Sequence, residues 1–198
     1  MQVYGDVNSG NCFKIKLLLS LLEIKHDWIE VDILQGETHS NDFLRKNPNG
    51  KIPTVELDDG RYLCESNAIL GYFAENTDFM PTDLYQKAKV YEWLFFEQYS
   101  HEPFIAVARF IEKYLGIPKQ RQDEYHSLQP GGNKALNIME KQLSQTAYIA
   151  GDQMTIADIS LYAYTHVANE GGFDLNNYPA IQRWCEKIQS NPNYISMG

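Results

Sequence analysis

Ser9, Gly10, Asn11 and Cys12 stand at the start of an apolar stretch with helical spacing. A helix start carries unpaired amides and the positive end of the helix dipole, so it favours an anion such as a thiolate. A redox protein with alternating strands and helices would place Cys-x-x-Cys at this turn. Here the first cysteine is replaced by Ser9, so a dithiol shuttle is left only with Cys12 acting alone. The Ser9 hydroxyl can instead donate a hydrogen bond to another molecule's thiolate. A free thiol ionises near pH 8.5, and lowering that by about two units takes about 2.7 kcal/mol, which a hydroxyl and helix-end amides can supply. Serine is also a favoured helix N-cap on structural grounds alone, and Cys12 suits a buried small hydrophobe better than a reactive thiol.

A second group is Asn49-Gly50-Lys51-Ile52-Pro53-Thr54-Val55. Pro53 cannot donate to a strand ladder, so it belongs at the start or edge of the strand that follows it. With a cis bond there, Ile52 would turn its amide and carbonyl outward for an extended ligand to pair with. Glu65-Ser66 then opens another helix-like run and adds an acid beside a helix start.

The elements that must hold these groups follow from pattern. Val3-Tyr4 reads as a strand, Cys12 to Leu22 as a helix, Trp28 to Val31 as a strand and Glu37 to Arg45 as a short helix. Thr54 to Leu57 and Arg61 to Leu63 flank Asp58-Asp59-Gly60, a strong hairpin signal, and Ser66 to Ala74 closes the unit as a helix. The order is β-α-β-α-β-β-α over residues 1–76. Residues 77–83 turn polar around Pro81 and suit a linker. Residues 84–198 read as all helical, with segments at Leu84 to Tyr99, Phe104 to Leu115, Asn133 to Gln145, Ile156 to Ala168 and Ala180 to Gln189. His101-Glu102-Pro103 reads as a helix break. Thr155-Ile156-Ala157-Asp158 is a capping box of structural purpose.

With 198 residues, 43% of them hydrophobic and 22% charged, the chain can bury a core of one large or two small domains. A formal charge of −9 argues against nucleic acid or an anionic membrane as partner, so an anionic ligand must be met by local groups. No apolar run approaches the roughly 20 residues needed to span a bilayer, and no signal peptide is visible. Three scattered cysteines, Cys12, Cys64 and Cys185, give neither a disulfide framework nor a zinc site, so a reducing cytoplasm is expected and no metal.

Together with Asn47-Pro48 before the second group and Ile149-Ala150-Gly151-Asp152 before the capping box, these motifs make the chain resemble the cytosolic glutathione S-transferases along its whole length. The resemblance is to bacterial-type members and to serine-using theta-like or delta-like classes. It implies a thioredoxin-like α/β N-terminal domain, an all-α C-terminal domain and a homodimer. It implies that Ile52, before a cis Pro53, pairs with the cysteinyl backbone of glutathione, that Glu65 and Ser66 meet the γ-glutamyl end, and that Lys51 meets the glycyl carboxylate. Their chemistry fits, since Glu65 can take an ammonium and Ser66 at a helix start can take a carboxylate. Ser9 matches the thiol-activating serine, with Asn11 and Tyr4 as rivals. Asn67 stands where delta-like members carry arginine. The implied activity is attack of the glutathione thiolate on a small hydrophobic electrophile, a detoxifying reaction with glutathione as co-substrate and no permanently bound cofactor. Glutathione-dependent reduction of disulfides or peroxides, and ligand binding without catalysis, are the alternatives. Tyr99, Phe104, Ala108 and Arg109 are candidates for the second-substrate pocket, with Phe104 and Arg109 carried forward.

Overall fold

The computed structural model describes residues 1–197 and divides the chain into two compact units. One is Met1–Glu75 with the residues from Pro192 on, and the other is Asn76–Asn191. The residues from Pro192 on, expected from the sequence in the helical part, group with the first unit, where the Ser20 hydroxyl donates to the Asn193 carbonyl at 2.8 Å.

The first unit runs β1 (Gln2–Gly5), α1 (Gly10–Leu21), β2 (Asp27–Glu30), α2 (Asn41–Lys46), β3 (Thr54–Glu56), β4 (Tyr62–Cys64) and α3 (Ser66–Ala74). This is the β-α-β-α-β-β-α order, and the strands lie side by side as β2-β1-β3-β4. β1 is parallel to β2, which requires the α1 crossover, whereas β3 is antiparallel to both its neighbours. Gly60, at φ 81°, closes the β3–β4 hairpin in a left-handed conformation open to glycine. The short helix expected over Glu37 to Arg45 is interrupted. A single 3-10 turn at Glu37–His39 ends at the extended Ser40, whose hydroxyl accepts from the Phe43 amide at 3.2 Å and caps α2 anew.

Strand alternation decides what each face of the sheet carries. Val3 and Gly5 are buried, and a Cβ on Gly5 would lie 2.8 Å from both Cys12 Sγ and the Trp28 ring. α1 therefore lies close over glycine on this face, and it packs against α3. Phe13, Ile15, Leu17, Leu18 and Leu19 of α1 are buried, each worth about 1.5–3 kcal/mol. Tyr4 points to the other face, edge-on to Phe43 of α2 with ring centroids 6.5 Å apart.

The second unit holds α4 (Leu84–Phe96), α5 (Glu102–Arg109), α6 (Gln122–Leu143), α7 (Ile156–Thr165) and α8 (Pro179–Gln189). The break expected at His101-Glu102-Pro103 is absent. A π turn at Glu97–His101 carries α4 into α5, and Pro103 falls in the first turn of α5, where a missing N–H is tolerated. α6 begins eleven residues before the expected Asn133, with Pro130 inside it. Packing outweighs propensity there. Cβ atoms on Gly131 and Gly132 would lie 2.3 Å from the rings of Phe104 and Phe173, so both rings sit on bare helix backbone, and Asn133 Nδ2 donates to the Gln129 carbonyl at 2.9 Å. The capping box at α7 is formed: the Thr155 amide donates to Asp158 Oδ2 at 2.8 Å and the Thr155 hydroxyl accepts from the Ala157 amide at 3.3 Å. Asp158 also accepts from the Ile149 amide at 2.7 Å and from Trp184 Nε1 at 2.9 Å. Among the described residues no helix is long and apolar enough to cross a membrane, and no cluster of His, Cys, Asp or Glu suits a metal ion.

Candidate active site

Three loops meet at one end of the sheet. β1 leaves through Gly5 into the turn before α1, β3 starts just after Pro53, and β4 passes from Cys64 into Glu65 and α3. Tyr4 is paired with Thr54 and Thr54 with Cys64, so these loops are neighbours although far apart in sequence.

Asn47, 4% exposed, shapes the loop before β3. Its Nδ2 donates to the Lys51 carbonyl at 2.7 Å and to the Thr54 hydroxyl at 3.3 Å, while its Oδ1 accepts from the Asn49 amide at 3.0 Å. Ile52–Pro53 is cis, and among the described residues neither the amide nor the carbonyl of Ile52 has a hydrogen-bond partner. Pro53 is buried and Lys51 exposed beside this edge. The arrangement offers one donor and one acceptor to an extended peptide.

Glu65 is exposed, at φ 67° and ψ 112°, and makes no capping bond. Ser66 is 6% exposed, and its hydroxyl lies 3.2 Å from Asn11 Oδ1 and 3.3 Å from the Nζ of the fully buried Lys14. An ammonium only donates, so the Ser66 oxygen accepts from Lys14, and the Ser66 hydroxyl donates to Asn11 Oδ1. The hydroxyl that the resemblance gives to a ligand carboxylate is thus engaged inside the protein. The Ser66 amide at the start of α3 is the group left for an anion.

Ser9 caps α1: it is extended at φ −77° and ψ 123°, and its hydroxyl oxygen accepts from the Cys12 amide at 3.4 Å. Burial pushes the Cys12 thiol up to about 12, although hydrogen bonds from Ser9 and from the Asp6 backbone pull it down. Cys12 is therefore no thiolate near neutral pH, and redox chemistry through it alone is closed off. Ser9 and Asn11 are both partly exposed in this turn.

Tyr4 is not brought to the turn. Its hydroxyl lies 2.8 Å from Glu56 Oε2 and 2.8 Å from Gln2 Oε1 on the opposite face of the sheet. Burial and then the Glu56 carboxylate push the phenol up to about 12. The alternation that buries Val3 and Gly5 beneath α1 turns Tyr4 away, which removes it as a thiol activator.

In the second unit, Phe104 lines a cavity of about 530 Å³ with Phe96, Tyr99, Ala135, Ile138 and Lys134. Arg109 does not. Its side chain is 2% exposed, and Nε meets Glu170 Oε2 at 2.6 Å, an ion pair that turns it inward. Glu170 also holds Lys113 at 2.8 Å.

Lys14 and Asn47 gain roles that the sequence did not give them. A lysine inside the apolar run Cys12 to Leu19 was the available signal for Lys14, since a charge on a buried helix face is kept only where something pairs with it.

Comparison with known proteins agrees with this fold. The family model for the glutathione S-transferase N-terminal domain matches residues 8–76, and that for the C-terminal domain matches residues 91–192. The chain is 57% identical to a crystal structure of a glutathione S-transferase from Pseudomonas fluorescens, with a TM-score of 0.98 over 99% of this chain and 98% of that one. A glutathione S-transferase structure from Xanthobacter autotrophicus is 42% identical, with a TM-score of 0.95 over 99% and 96% of the two chains. The disulfide-bond oxidoreductase YfcG of Escherichia coli is 29% identical over 92% of this chain and 87% of its own length. The chain belongs to the glutathione S-transferase family.

Proposed function

We propose that this protein is a glutathione transferase. Glutathione lies along Ile52, its γ-glutamyl end meets Glu65 and the amide of Ser66, its glycyl carboxylate meets Lys51, and its sulfur rests at the Ser9–Asn11 turn. The observation that carries this reading is the meeting of three loops at one sheet end, which sets an unpaired backbone edge, a helix start bearing an acid, and a turn of donors side by side. Donors at the turn favour loss of the thiol proton to solvent. The thiolate sulfur then attacks an electrophilic carbon, forming a C–S bond as a leaving group such as chloride departs with the displaced electron pair. The protein contributes a lowered thiol pKa and proximity. The apolar cavity around Phe104 has a size suited to a small hydrophobic electrophile. We take the protein to act as a homodimer in the cytoplasm, in detoxification.

Similarity to YfcG favours a second reading, glutathione-dependent disulfide reduction, in which the same thiolate attacks sulfur instead of carbon. Turnover of a chlorinated aromatic compound against that of a small disulfide, each with glutathione, separates the two. Transferase action predicts faster conjugation. Absence of glutathione binding by calorimetry would overturn both readings.

A further inference from the structure

The walls of the cavity beside Phe104 carry a definite chemistry. Phe96, Phe104 and Ile138 make it apolar, and the Phe104 ring is held against bare backbone at Gly131, where a Cβ would lie 2.3 Å from it. A wall fixed in this way suits a flat aromatic ring laid against it. The polar groups of the same cavity belong to Lys134, Tyr99 and Ser100. Among the described residues none of these side chains has a hydrogen-bond or ion-pair partner. Both hydroxyls can donate, the ammonium can only donate, and no acid lines the cavity. In a chain with 26 acidic residues against 17 basic ones, a cavity holding a lysine and no carboxylate is matched to a ligand that brings its own.

We propose that the electrophile is an aromatic compound bearing a carboxylate: its ring lies against Phe104 and Phe96, and Lys134, with the Tyr99 and Ser100 hydroxyls, meets the carboxylate. This rests on the transferase reading above and names its substrate class. The volume of about 530 Å³ is within the range of small-molecule sites. A carboxylate remote from the reacting carbon is held equally well before and during the reaction, so Lys134 acts on KM and leaves the chemistry to the sulfur.

The test compares 4-chloro-3,5-dinitrobenzoate with its carboxamide, which has nearly the same volume and no charge. In both, the glutathione sulfur forms a C–S bond at the chlorine-bearing carbon, chloride leaves with the electron pair of the broken C–Cl bond, and the thiol proton goes to solvent. Each kcat/KM is divided by the rate constant of the uncatalysed reaction with glutathione, which removes the different reactivities of the two rings. Wild type is expected to favour the carboxylate by about fivefold, carried by KM, as for an ion pair with an exposed lysine. Lys134→Met should bring the ratio to about 1, and Lys134→Arg should keep the preference. Lys134 is exposed and unpaired among the described residues, so its replacement leaves no buried group without a partner. A wild-type ratio at or below about 1, a preference carried by kcat, or a ratio unchanged in Lys134→Met would overturn the substrate class and leave the transferase reading standing. Conjugation of neither compound by protein that binds glutathione would overturn the transferase reading, and the substrate class with it.

Discussion

Glu65 separates binding from folding in a single position. A non-glycine residue at φ 67° and ψ 112° is strained, a conformation worth about 1–3 kcal/mol, whereas glycine adopts it freely at an entropic cost of about 0.5–1 kcal/mol. Glu65→Gly should therefore stabilise the protein by about 1 kcal/mol, a rise of about 2–4 °C in Tm for a chain of this length. Glu65→Ala keeps the strain and should melt within about 1 °C of wild type. Both variants remove the carboxylate. It is exposed and makes no hydrogen bond to the described residues, so it is available to a ligand ammonium. An exposed ion pair is worth about 0.2–1 kcal/mol and a buried one about 2–5 kcal/mol, so a pair partly covered by its ligand should lose about 1–2 kcal/mol, or about 5–30-fold in Kd. Calorimetric titration with glutathione and differential scanning of the same samples read both quantities. Glutathione affinity in Glu65→Gly equal to wild type would refute the assigned γ-glutamyl contact. A Tm for Glu65→Gly below that of Glu65→Ala would refute the strain argument.

Three further outcomes follow from the same structure. Asp158→Ala orphans the buried Ile149 and Thr155 amides and Trp184 Nε1, at about 1–3 kcal/mol each, less the cost of a buried carboxylate that is recovered; we expect a loss of about 3–5 kcal/mol, read from the urea midpoint. Cys12, buried with its thiol near 12, should resist iodoacetamide in the native protein, and Cys12→Ala should keep glutathione-dependent turnover; rapid labelling seen by mass spectrometry, or loss of turnover, would contradict this. His166, with Nδ1 2.7 Å from the Tyr162 carbonyl and its ring stacked on Tyr162, is held neutral at a pKa of about 4, mainly by burial. Its folded pKa lies below the ordinary 6.5, so its share of stability is complete above about pH 6.5 and lost as pH falls toward 4, about 3 kcal/mol in all; wild type minus His166→Gln, measured by urea unfolding across that window, should show the slope.

The parts of the fold legible in the sequence are those written in neighbouring residues. Asp58-Asp59-Gly60 announced its hairpin because a left-handed glycine is a local requirement, and Thr155 to Asp158 announced α7 because a capping box closes within four residues. The start of α6 was not legible. Pro130-Gly131-Gly132 reads as a breaker until the rings of Phe104 and Phe173 are known to sit against it, and those contacts belong to tertiary packing. Arg109 was misplaced for the same reason, since its partner Glu170 lies 61 residues further on. Tyr4 was within reach of the sequence: alternation puts it opposite Val3 and Gly5, and only the choice of which face α1 covers was missing.

The site divides its work between backbone and side chain, and that division bears on its chemistry. The unpaired edge at Ile52, the amide at Ser66 and the helix start beneath it are main-chain groups, fixed by the sheet registers and by Asn47. Main-chain groups survive substitution, so a tripeptide can be held by many sequences on this sheet end. What is done with the bound sulfur depends on the few donors at the start of α1, whose side chains change without moving the sheet. Similarity to proteins named as transferases and to one named as a disulfide oxidoreductase is what such a division produces. In this chain the turn offers a serine whose oxygen caps the helix and an asparagine whose Oδ1 accepts from the Ser66 hydroxyl. Capping uses a lone pair of the Ser9 oxygen and leaves its O–H able to donate, so one serine can cap the helix and still face a thiolate.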